Sequence, residues 1–265
     1  MFSNLVVAIT GAGSGIGRAL AIELARRGAR LALSDVSEQS LAKTVALLPV
    51  ATSSRSYLLD VSSRDAMFRH ADEVASDFGQ VDFAINNAGT SVLASVEHAT
   101  IEEFEKVIGI NLWGVIYGTK AFLPKMLARR QGCIVNISSV FGLVATPCSA
   151  AYTISKFGVR GLTETLWQEL EGTGVRAVLV HPGGINTNIS NVPKAEHETD
   201  FERRLLDANK RQMTTTPEQC AREIVAGLLR GDKRLLVGNG ARSLQWIARL
   251  FPDSYGALVR RKLGV

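Results

Sequence analysis

The sequence has few cysteines and no long hydrophobic run. Its three cysteines, Cys133, Cys148 and Cys220, show no CxxC spacing, which argues against a disulfide framework and a zinc site and favours a reducing compartment. No apolar run reaches the roughly eighteen residues that a membrane-spanning helix needs. The apolar residues 5–9 follow no basic region and precede no cleavage-type site, so no signal peptide is predicted. We therefore expect a cytoplasmic protein.

Charge of one sign is not concentrated anywhere along the chain. The 30 Lys and Arg against 25 Asp and Glu leave a net charge of +5. The basic residues form only local pairs, without a long basic run or a nucleic-acid motif, so no nucleic-acid partner is expected. The histidines are isolated in sequence: His70, His98, His181 and His197. No cluster has the spacing of metal ligands, and no metal is predicted.

Short apolar runs alternate with amphipathic helical stretches along most of the chain. The predicted strands are residues 5–10, 30–34, 56–61, 81–86, 133–138, 175–181 and 234–237. The predicted helices are residues 16–27, 37–48 (opened by a serine cap), 64–78, about 101–129, 152–170 and 217–230. Continuous apolar strands between helices predict a parallel sheet covered on both faces. Right-handed crossovers then give a three-layer doubly wound α/β fold, the Rossmann fold, and no linker or repeat divides residues 1–265 into further domains.

Two segments depart from this alternation. Residues 183–216 are rich in Asn, Thr, Glu and Arg and follow the sixth strand, where we expect an insertion that covers a substrate. The tail, residues 241–265, is amphipathic: Leu244, Trp246 and other apolar residues alternate with arginines, and Pro252 interrupts it. Two interpretations stay open for the tail, namely packing against the core or another subunit, and peripheral contact with a membrane.

A glycine-rich turn connects the first predicted strand to the first helix. Its residues predicted to bind a cofactor are Gly11, Ser14, Gly15, Ile16 and Gly17. Glycines here allow positive φ angles, a close approach of backbone to a pyrophosphate and tight packing of helix on strand. The helix N-terminus offers free N–H groups to the anion. The position of the turn favours a dinucleotide site over a merely flexible turn.

The kind of dinucleotide is predicted from Asp35, at the end of the second strand. A carboxylate there accepts hydrogen bonds from the adenosine ribose and repels a 2′-phosphate. Neither Ser14 nor Val36 is replaced by the Arg or Lys that a 2′-phosphate needs. NAD(H) is therefore preferred over NADP(H); the alternative is a surface aspartate that caps the next helix. Arg18, inside the first helix, is expected to face the pyrophosphate or solvent.

A tyrosine, a lysine and a serine are the candidate catalytic groups. Tyr152 and Lys156 are four residues apart at the start of a predicted helix, so they share one face, and Ser139 follows the fifth strand. A positive charge about 4 Å from a phenolate stabilises it by about 4 kcal/mol at an effective dielectric of about 20. That is roughly the pKa shift that a phenol needs to act as a base at neutral pH, although burial opposes it. The alternative is a Tyr–Lys pair that is simply satisfied in the core.

Together with other residues, this pattern resembles the short-chain dehydrogenase/reductase family, in its compact single-domain branch. The matching residues are 10–17, Asp60, Asn86-Asn87-Ala88-Gly89, Asn111, Ser138-Ser139, Tyr152-x-x-x-Lys156, and Pro182-Gly183 with Thr187. They occur in the family's order. Gly184 and Asn186, which follow Pro182-Gly183, depart from its usual pattern.

The resemblance implies a role for each matching residue. Tyr152 would be the general acid/base, and Ser139 would bind the substrate oxygen and stabilise a developing alkoxide. Lys156 would bind the nicotinamide ribose and lower the pKa of the tyrosine, while Asn111 would hold a water of the proton relay. Asn87 would also brace the sheet. The remaining implied cofactor contacts are Asp60, Val61, Asn87, Ala88, Gly89, Pro182, Gly183, Ile185 and Thr187.

The sequence therefore predicts an NAD(H)-linked oxidoreductase that interconverts an alcohol and a carbonyl compound. Residues 90–96, 140–151 and 184–213 are expected to close its pocket. The residues expected to make the pocket apolar, and the substrate hydrophobic, are Val92, Leu93, Phe141, Leu143 and Val144. Ser138 is expected to be structural and Cys148 to serve packing. The family resemblance implies a homodimer or homotetramer, assembled through the helices in 101–129 and 152–170.

Three other functions stay open. One is a non-catalytic protein that senses dinucleotides, since a fold does not determine a function. A pure binder would have no need of Tyr152, Lys156, Ser139 and Asn111 together. Another is a lipid-alcohol dehydrogenase whose tail contacts membranes. The third is an epimerase or dehydratase of the longer related branch, for which the chain is short.

Overall fold

One parallel sheet organises the computed structural model, which describes residues 2–187, 189 and 199–263. Its strand order is β3-β2-β1-β4-β5-β6-β7. The strands are β1 Val6–Thr10, β2 Arg30–Asp35, β3 Ser54–Leu58, β4 Phe83–Asn86, β5 Gly132–Ile137, β6 Val175–Gly183 and β7 Arg234–Gly238. The chain starts in the middle of the sheet, runs to one edge, and returns to build the other half. The carboxyl ends of β1 and β4 therefore flank a switch point, where doubly wound folds bind ligands.

Helices cover both faces of this sheet. They are α1 Gly15–Ala25, α2 Glu38–Val45, α3 Arg64–Phe78, α4 Ile101–Ile108, α5 Gly114–Arg129, α6 Ala150–Glu169, α7 Asp200–Gln212, α8 Pro217–Arg230, α9 Ala241–Leu250 and α10 Tyr255–Leu263. One buried apolar cluster joins α1, α2 and α8 to the sheet, and a second joins α3, α5 and α6 to its other face. The predicted three-layer doubly wound fold is confirmed. No described helix is both long and apolar enough to cross a membrane.

Local chemistry explains where several helices begin and end. The hydroxyl of Ser37 accepts a hydrogen bond from the Ser40 N–H at 3.2 Å, which confirms the predicted cap of α2. Helices α3 and α8 have the predicted bounds, and each ends at a glycine with a left-handed backbone, Gly79 and Gly231. Glycine adopts that conformation at little cost and so stops a helix cleanly.

Two predicted elements differ from the observed ones. The third strand spans Ser54–Leu58 and is largely exposed, because it lies at the edge of the sheet, where helices cover it less. It is not the buried apolar strand predicted at 56–61. The predicted long helix at 101–129 is interrupted by a π-helical turn, Gly109–Trp113, between α4 and α5. Such bulges occur frequently at functional sites.

The insertion contains a helix that periodicity did not predict, and the amphipathic tail is helical on both sides of Pro252. Within 183–216, α7 begins with a capping box formed by Thr199 and Glu202. The carboxylate of Glu202, only 2% exposed, also accepts a hydrogen bond from the Ser95 N–H at 2.7 Å and so ties α7 to the loop before α4. The tail forms α9 and α10, separated near Pro252. The middle of the predicted insertion, His197 included, and the last two tail residues lie outside the described residues.

Candidate active site

A cavity of about 630 Å³ opens at the carboxyl ends of the strands. Such clefts are the usual ligand sites of doubly wound sheets. The predicted site residues that line it are Gly11, Ser14, Gly15, Ile16, Asp35, Asp60, Val61, Asn87, Ala88, Gly89, Ser139, Tyr152, Lys156, Pro182, Ile185 and Thr187. Folding therefore brings residues from distant parts of the sequence to one place; their individual binding roles remain predictions.

The glycine-rich turn forms one end of the cavity. Gly11 and Gly15 have φ angles of 65° and 50°, which glycine tolerates and most residues do not. Ser14 precedes the first residue of α1, and its side chain makes no capping hydrogen bond. A methyl group added at Gly15 would lie 3.3 Å from Cγ2 of Thr187. The turn, the start of α1 and Thr187 thus surround a space suited to an anionic group.

Asp35 supports this turn. Its carboxylate accepts hydrogen bonds from the Gly13 N–H at 2.9 Å and the Ser37 N–H at 3.1 Å. It therefore faces the cavity and also orients the residue that caps α2. The prediction for Arg18 is wrong, because its guanidinium bonds the Gly13 carbonyl and, at 3.0 Å, the Thr44 hydroxyl. These partners draw Arg18 between the turn and α2 rather than toward a pyrophosphate or solvent.

Asn87 connects the ends of β1 and β4. Its side-chain amide donates to the carbonyl of Thr10 at 2.9 Å, and its backbone N–H donates to the Thr10 hydroxyl at 3.0 Å. The hydroxyl of Thr10 also accepts the Ala88 N–H at 3.1 Å. These bonds hold the loop after β4 beside the glycine-rich turn, so both loops line the same cavity.

Tyr152, Lys156 and Ser139 converge at the other end of the cavity. Helix α6 carries the tyrosine and the lysine, and the ammonium nitrogen of Lys156 lies 5.5 Å from the centre of the Tyr152 ring. The Ser139 side chain lies near the Tyr152 hydroxyl and lowers the pKa of the phenol. Phe141 packs edge-on against the tyrosine ring with 5.8 Å between ring centres. A phenol, a hydroxyl and an ammonium group therefore surround one region of the cavity.

Burial controls the protonation of these groups. It raises the pKa of Tyr152, and the Ser139 side chain opposes that rise. It lowers the pKa of Lys156 to about 8. The opposing effect of burial, which the sequence analysis anticipated, therefore dominates the pKa of the phenol in this structure. Loss of solvent disfavours both charged forms and outweighs their attraction.

Two hydrogen bonds fix Lys156, one made by its ammonium group and one by its own backbone carbonyl. Its ammonium donates a hydrogen bond to the Ile137 carbonyl at 2.9 Å. Its own carbonyl accepts one from the Ser138 hydroxyl at 2.9 Å. Ser138 therefore has the predicted structural role. His181 supports the adjacent residue, with Nδ1 2.8 Å from the Ser139 carbonyl oxygen.

Asn111 lies in the π-helical turn and does not line the cavity. Its side chain accepts the Thr90 N–H at 2.8 Å and donates to the Thr90 carbonyl at 2.9 Å. It also donates to the Ser155 hydroxyl at 3.2 Å. In this arrangement the asparagine side chain positions the loop after β4 beside α6.

Two predicted glycines and two of the predicted apolar pocket residues also lie outside the cavity lining. A methyl group at Gly17 would lie 2.1 Å from the Gly11 carbonyl oxygen, and one at Gly183 would lie 2.5 Å from that of Asn239. These glycines permit close packing behind the cavity. Of the apolar pocket residues predicted, Leu93, Phe141 and Val144 line it, whereas Val92 and Leu143 do not. Cys148 is buried outside the cavity lining, in the predicted packing role.

The predicted closing segment 184–213 does contribute to the cavity, through residues that include Leu206, Asn209, Gln212 and Met213. Sequence reasoning missed Asn239 and Gly240, which follow β7, and Leu244 and Val259 of the tail. The amphipathic pattern of the tail signalled an inward-facing side, but not what that side faces. Within the described part of the chain, no group of three or more His, Cys, Asp or Glu side chains could hold a metal ion.

Comparisons with known proteins agree with this architecture. A family model described as short chain dehydrogenase matches residues 5–198. A Mycobacterium tuberculosis protein named as an oxidoreductase, SadH, is 42% identical over 261 residues, covering 97% of this chain and 95% of its own length. The crystal structure of a Burkholderia phymatum short-chain dehydrogenase/reductase in complex with NAD has a TM-score of 0.88 at 29% identity and covers 96% of each chain. A metagenomic short-chain oxidoreductase in complex with NADP has a TM-score of 0.72 at 29% identity, over 89% of this chain and 97% of its own.

The chain belongs to the short-chain dehydrogenase/reductase family of oxidoreductases. The family match covers the sheet up to β6 together with Asn111, Ser139, Tyr152 and Lys156. It ends before α7, so the helices that complete the cavity lie outside it.

Proposed function

We propose that this protein is an NAD(H)-dependent oxidoreductase that interconverts a hydrophobic alcohol and its ketone or aldehyde. One observation carries the proposal. Tyr152, Ser139 and Lys156 meet in the same cavity that holds the glycine-rich turn and Asp35 at its other end. A dinucleotide bound along this cavity would bring its reactive ring to the tyrosine while its phosphates lie at the start of α1.

The residues present fit a nicotinamide dinucleotide. The uncapped start of α1 and the left-handed Gly15 leave backbone N–H groups for the pyrophosphate. Asp35, Val36 and Asp60 line the adenosine end without a basic side chain among them. Because NAD and NADP are each found in similar structures, the preference for NAD rests on the negative charge of Asp35. When bound, the nicotinamide would take up or supply the hydride.

In the proposed mechanism, the protein supplies the proton and stabilises the charge. When an alcohol is oxidised, Tyr152 takes the hydroxyl proton as the carbon loses its hydride; in reduction it returns that proton to the carbonyl oxygen. The Ser139 hydroxyl donates a hydrogen bond to the same oxygen as negative charge develops. Lys156 holds a positive charge next to the phenol. Since burial keeps the phenol protonated in this structure, the described state suits proton donation to a carbonyl.

Tyr152→Phe tests the mechanism, with NAD and NADP each assayed against a panel of alcohols and ketones by nicotinamide absorbance. Loss of the general acid/base should lower kcat by about 10²–10⁴-fold with little change in NADH affinity. Tyr117→Phe is the matched control, because Tyr117 stacks on Trp113 and is not among the cavity-lining residues. Turnover that survives in Tyr152→Phe contradicts the assignment. A wild-type protein that binds NADH but converts no substrate supports the dinucleotide-sensing alternative.

A second candidate property is contact with an anionic membrane. Helix α9 exposes Trp246 and Leu250, together with the arginines Arg242 and Arg249, a composition typical of interfacial helices. Sedimentation with vesicles containing phosphatidylserine would test it. Binding lost in Trp246→Ser but kept in Trp113→Ser supports the contact, and no sedimentation of the wild type excludes it.

A further inference from the structure

The two C-terminal helices have an inner side that faces the cavity. Leu244 of α9 and Val259 of α10 line it. Val259 is 7% exposed, whereas the adjacent Leu258 is 42% exposed and Trp246 is 57% exposed. Each helix therefore turns an apolar side chain toward the cavity and others toward solvent. Both helices follow the part of the chain that the family model matches.

Specific contacts attach this tail to the other walls of the cavity. The Tyr255 hydroxyl oxygen, at the start of α10, accepts a hydrogen bond from the Ala145 N–H at 3.0 Å. Ala145 lies between the cavity-lining residues Val144 and Thr146. Helix α10 also packs against α7. The tail thus joins the loop after β5 to the helix of the insertion.

A second attachment lies at the start of α9. The Asn239 N–H donates to the Thr215 hydroxyl at 3.0 Å, and its side-chain amide donates to the Gln212 carbonyl at 3.2 Å. Asn239 and Gln212 both line the cavity. Because Glu202 holds α7 on the loop before α4, these segments form a connected wall around the space in front of Tyr152.

The chemistry of this wall selects against charge. Its apolar members are Leu93, Phe141, Val144, Ile185, Leu206, Met213, Leu244 and Val259. Its polar members are neutral: Thr146, Ser149, Asn209, Gln212 and Asn239. The charged side chains among the described cavity residues are Asp35, Asp60 and Lys156, which belong to the cofactor and proton-transfer regions. An ionised substrate group would therefore lose its hydration without gaining a counter-ion.

We propose that Leu244 and Val259 form a substrate-selecting wall, which holds the apolar chain of an uncharged secondary alcohol or ketone while its oxygen meets Tyr152 and Ser139. This inference rests on the proposed function. Burial of each methylene against the wall should raise the affinity by about fourfold, so affinity should increase with chain length until the cavity is full. A larger side chain at the wall should then weaken the binding of long substrates and leave the binding of short ones unchanged.

The test is a chain-length series of 2-alkanones assayed with Val259→Trp, which introduces a larger side chain at the cavity wall. For 2-decanone the KM should rise by at least about tenfold, while kcat/KM for 2-butanone stays near the wild-type value. Leu258→Trp is the matched control, because the same substitution one residue away points to solvent; it should leave both substrates unchanged. Val259→Ala, which enlarges the cavity, should move the optimum toward longer chains and guards against a misfolded Trp variant.

Two results would overturn the proposal. One is an equal loss for short and long ketones in Val259→Trp with no shift in Val259→Ala. The other is an ionised keto acid preferred over a ketone of equal length. If no variant turns over any substrate, the proposed function fails instead. The proposal for the wall is then tested by the thermal stabilisation that 2-decanone gives to the NADH-loaded protein. The proposal requires that this stabilisation falls in Val259→Trp and persists in Leu258→Trp.

Discussion

Burial acts in opposite directions on the two ionisable groups of the candidate active site. It raises the pKa of Tyr152 and lowers the pKa of Lys156 to about 8. Each shift disfavours the charged form, so the phenol keeps its proton and the ammonium loses its proton more readily. A phenolate therefore needs a further positive charge near the ring, and the oxidised nicotinamide of a bound cofactor would supply one.

Asp35→Asn tests cofactor choice at the scale of one residue. The amide oxygen keeps an acceptor for the Gly13 N–H, but the negative charge that repels a 2′-phosphate is gone. The ratio of kcat/KM for NADP to that for NAD should rise by about tenfold or more, an energy of about 1.4 kcal/mol.

Glu38→Gln is the control for Asp35→Asn. It removes a charge in the first turn of α2, outside the residues that line the cavity, and should leave the cofactor ratio unchanged. An unchanged ratio in Asp35→Asn itself would show that this carboxylate does not set the preference.

At the scale of elements, α5 approaches the sheet closely through Gly118. A methyl group there would lie 2.1 Å from the side-chain oxygen of the buried Asn86. The Asn86 amide donates to Asn136 at 2.8 Å, and Asn136 donates to Thr163 of α6 at 3.0 Å. A buried polar network thus links β4, β5 and α6, and it leaves no space for a larger residue on α5.

Gly118→Ala should therefore destabilise the protein, although alanine is the better helix former. Overpacking against the amide network should lower the free energy of unfolding by about 1–3 kcal/mol, as measured by urea titration. Gly161→Ala on α6, where an added methyl group meets nothing within 4 Å, should instead raise it by about 0.4–1 kcal/mol. Equal effects of the two substitutions would show that helix propensity, rather than packing, determines the change in the free energy of unfolding.

At the scale of the whole molecule, the histidines make stability depend on pH. Burial lowers the pKa of both His70 and His181 to about 4. His70 lies between Tyr57 and Phe122 without a hydrogen-bond partner for either ring nitrogen. The unfolded chain binds these protons near 6.5, so the stabilisation is complete above that pH and is lost as the pH falls from about 6.5 to 4.

For each of these histidines, the free energy of unfolding should fall by about 2 kcal/mol when the pH is lowered from about 7.5 to about 5. His70→Phe keeps an aromatic ring against Tyr57 and removes the titrating group. It should therefore abolish about half of the combined fall from the two histidines, as measured by urea titrations at the two pH values. A pH dependence unchanged in His70→Phe would contradict the prediction.

The helices α4, α5 and α6 leave an apolar surface exposed. The exposed residues are Ile101, Ile154 and Phe157, with Trp113 of the π-helical turn, and large exposed apolar side chains are typical of subunit contacts. We therefore keep the proposal of a homodimer or homotetramer. Light scattering after gel filtration should give a mass two or four times that of the 28.5 kDa chain, and Ile154→Glu should lower it. Leu250→Glu, on α9, is the control; a monomeric wild type would refute the proposal.

Patterns local in sequence were enough for the sheet and for much of the candidate site. Apolar strands between amphipathic helices predicted the doubly wound fold, and glycine-stopped helices such as α3 had the predicted bounds. The family's motif residues indicated where Tyr152, Ser139 and the glycine-rich turn would meet. The π-helical turn at Asn111 was not predictable in this way, because its residues share the helical periodicity of α4 and α5.

What the sequence by itself determined is the order of the strands, the order of the helices outside the insertion and the tail, and the chemical groups at the strand ends, since these depend on periodicity and short motifs. The tertiary structure alone decided which surfaces those groups meet. It directed Arg18 to Thr44 instead of a phosphate, placed Lys156 on the Ile137 carbonyl, and brought Leu244 and Val259 of the tail to the cavity. The physical reason is that burial, desolvation and contacts between distant segments exist only after the chain has packed.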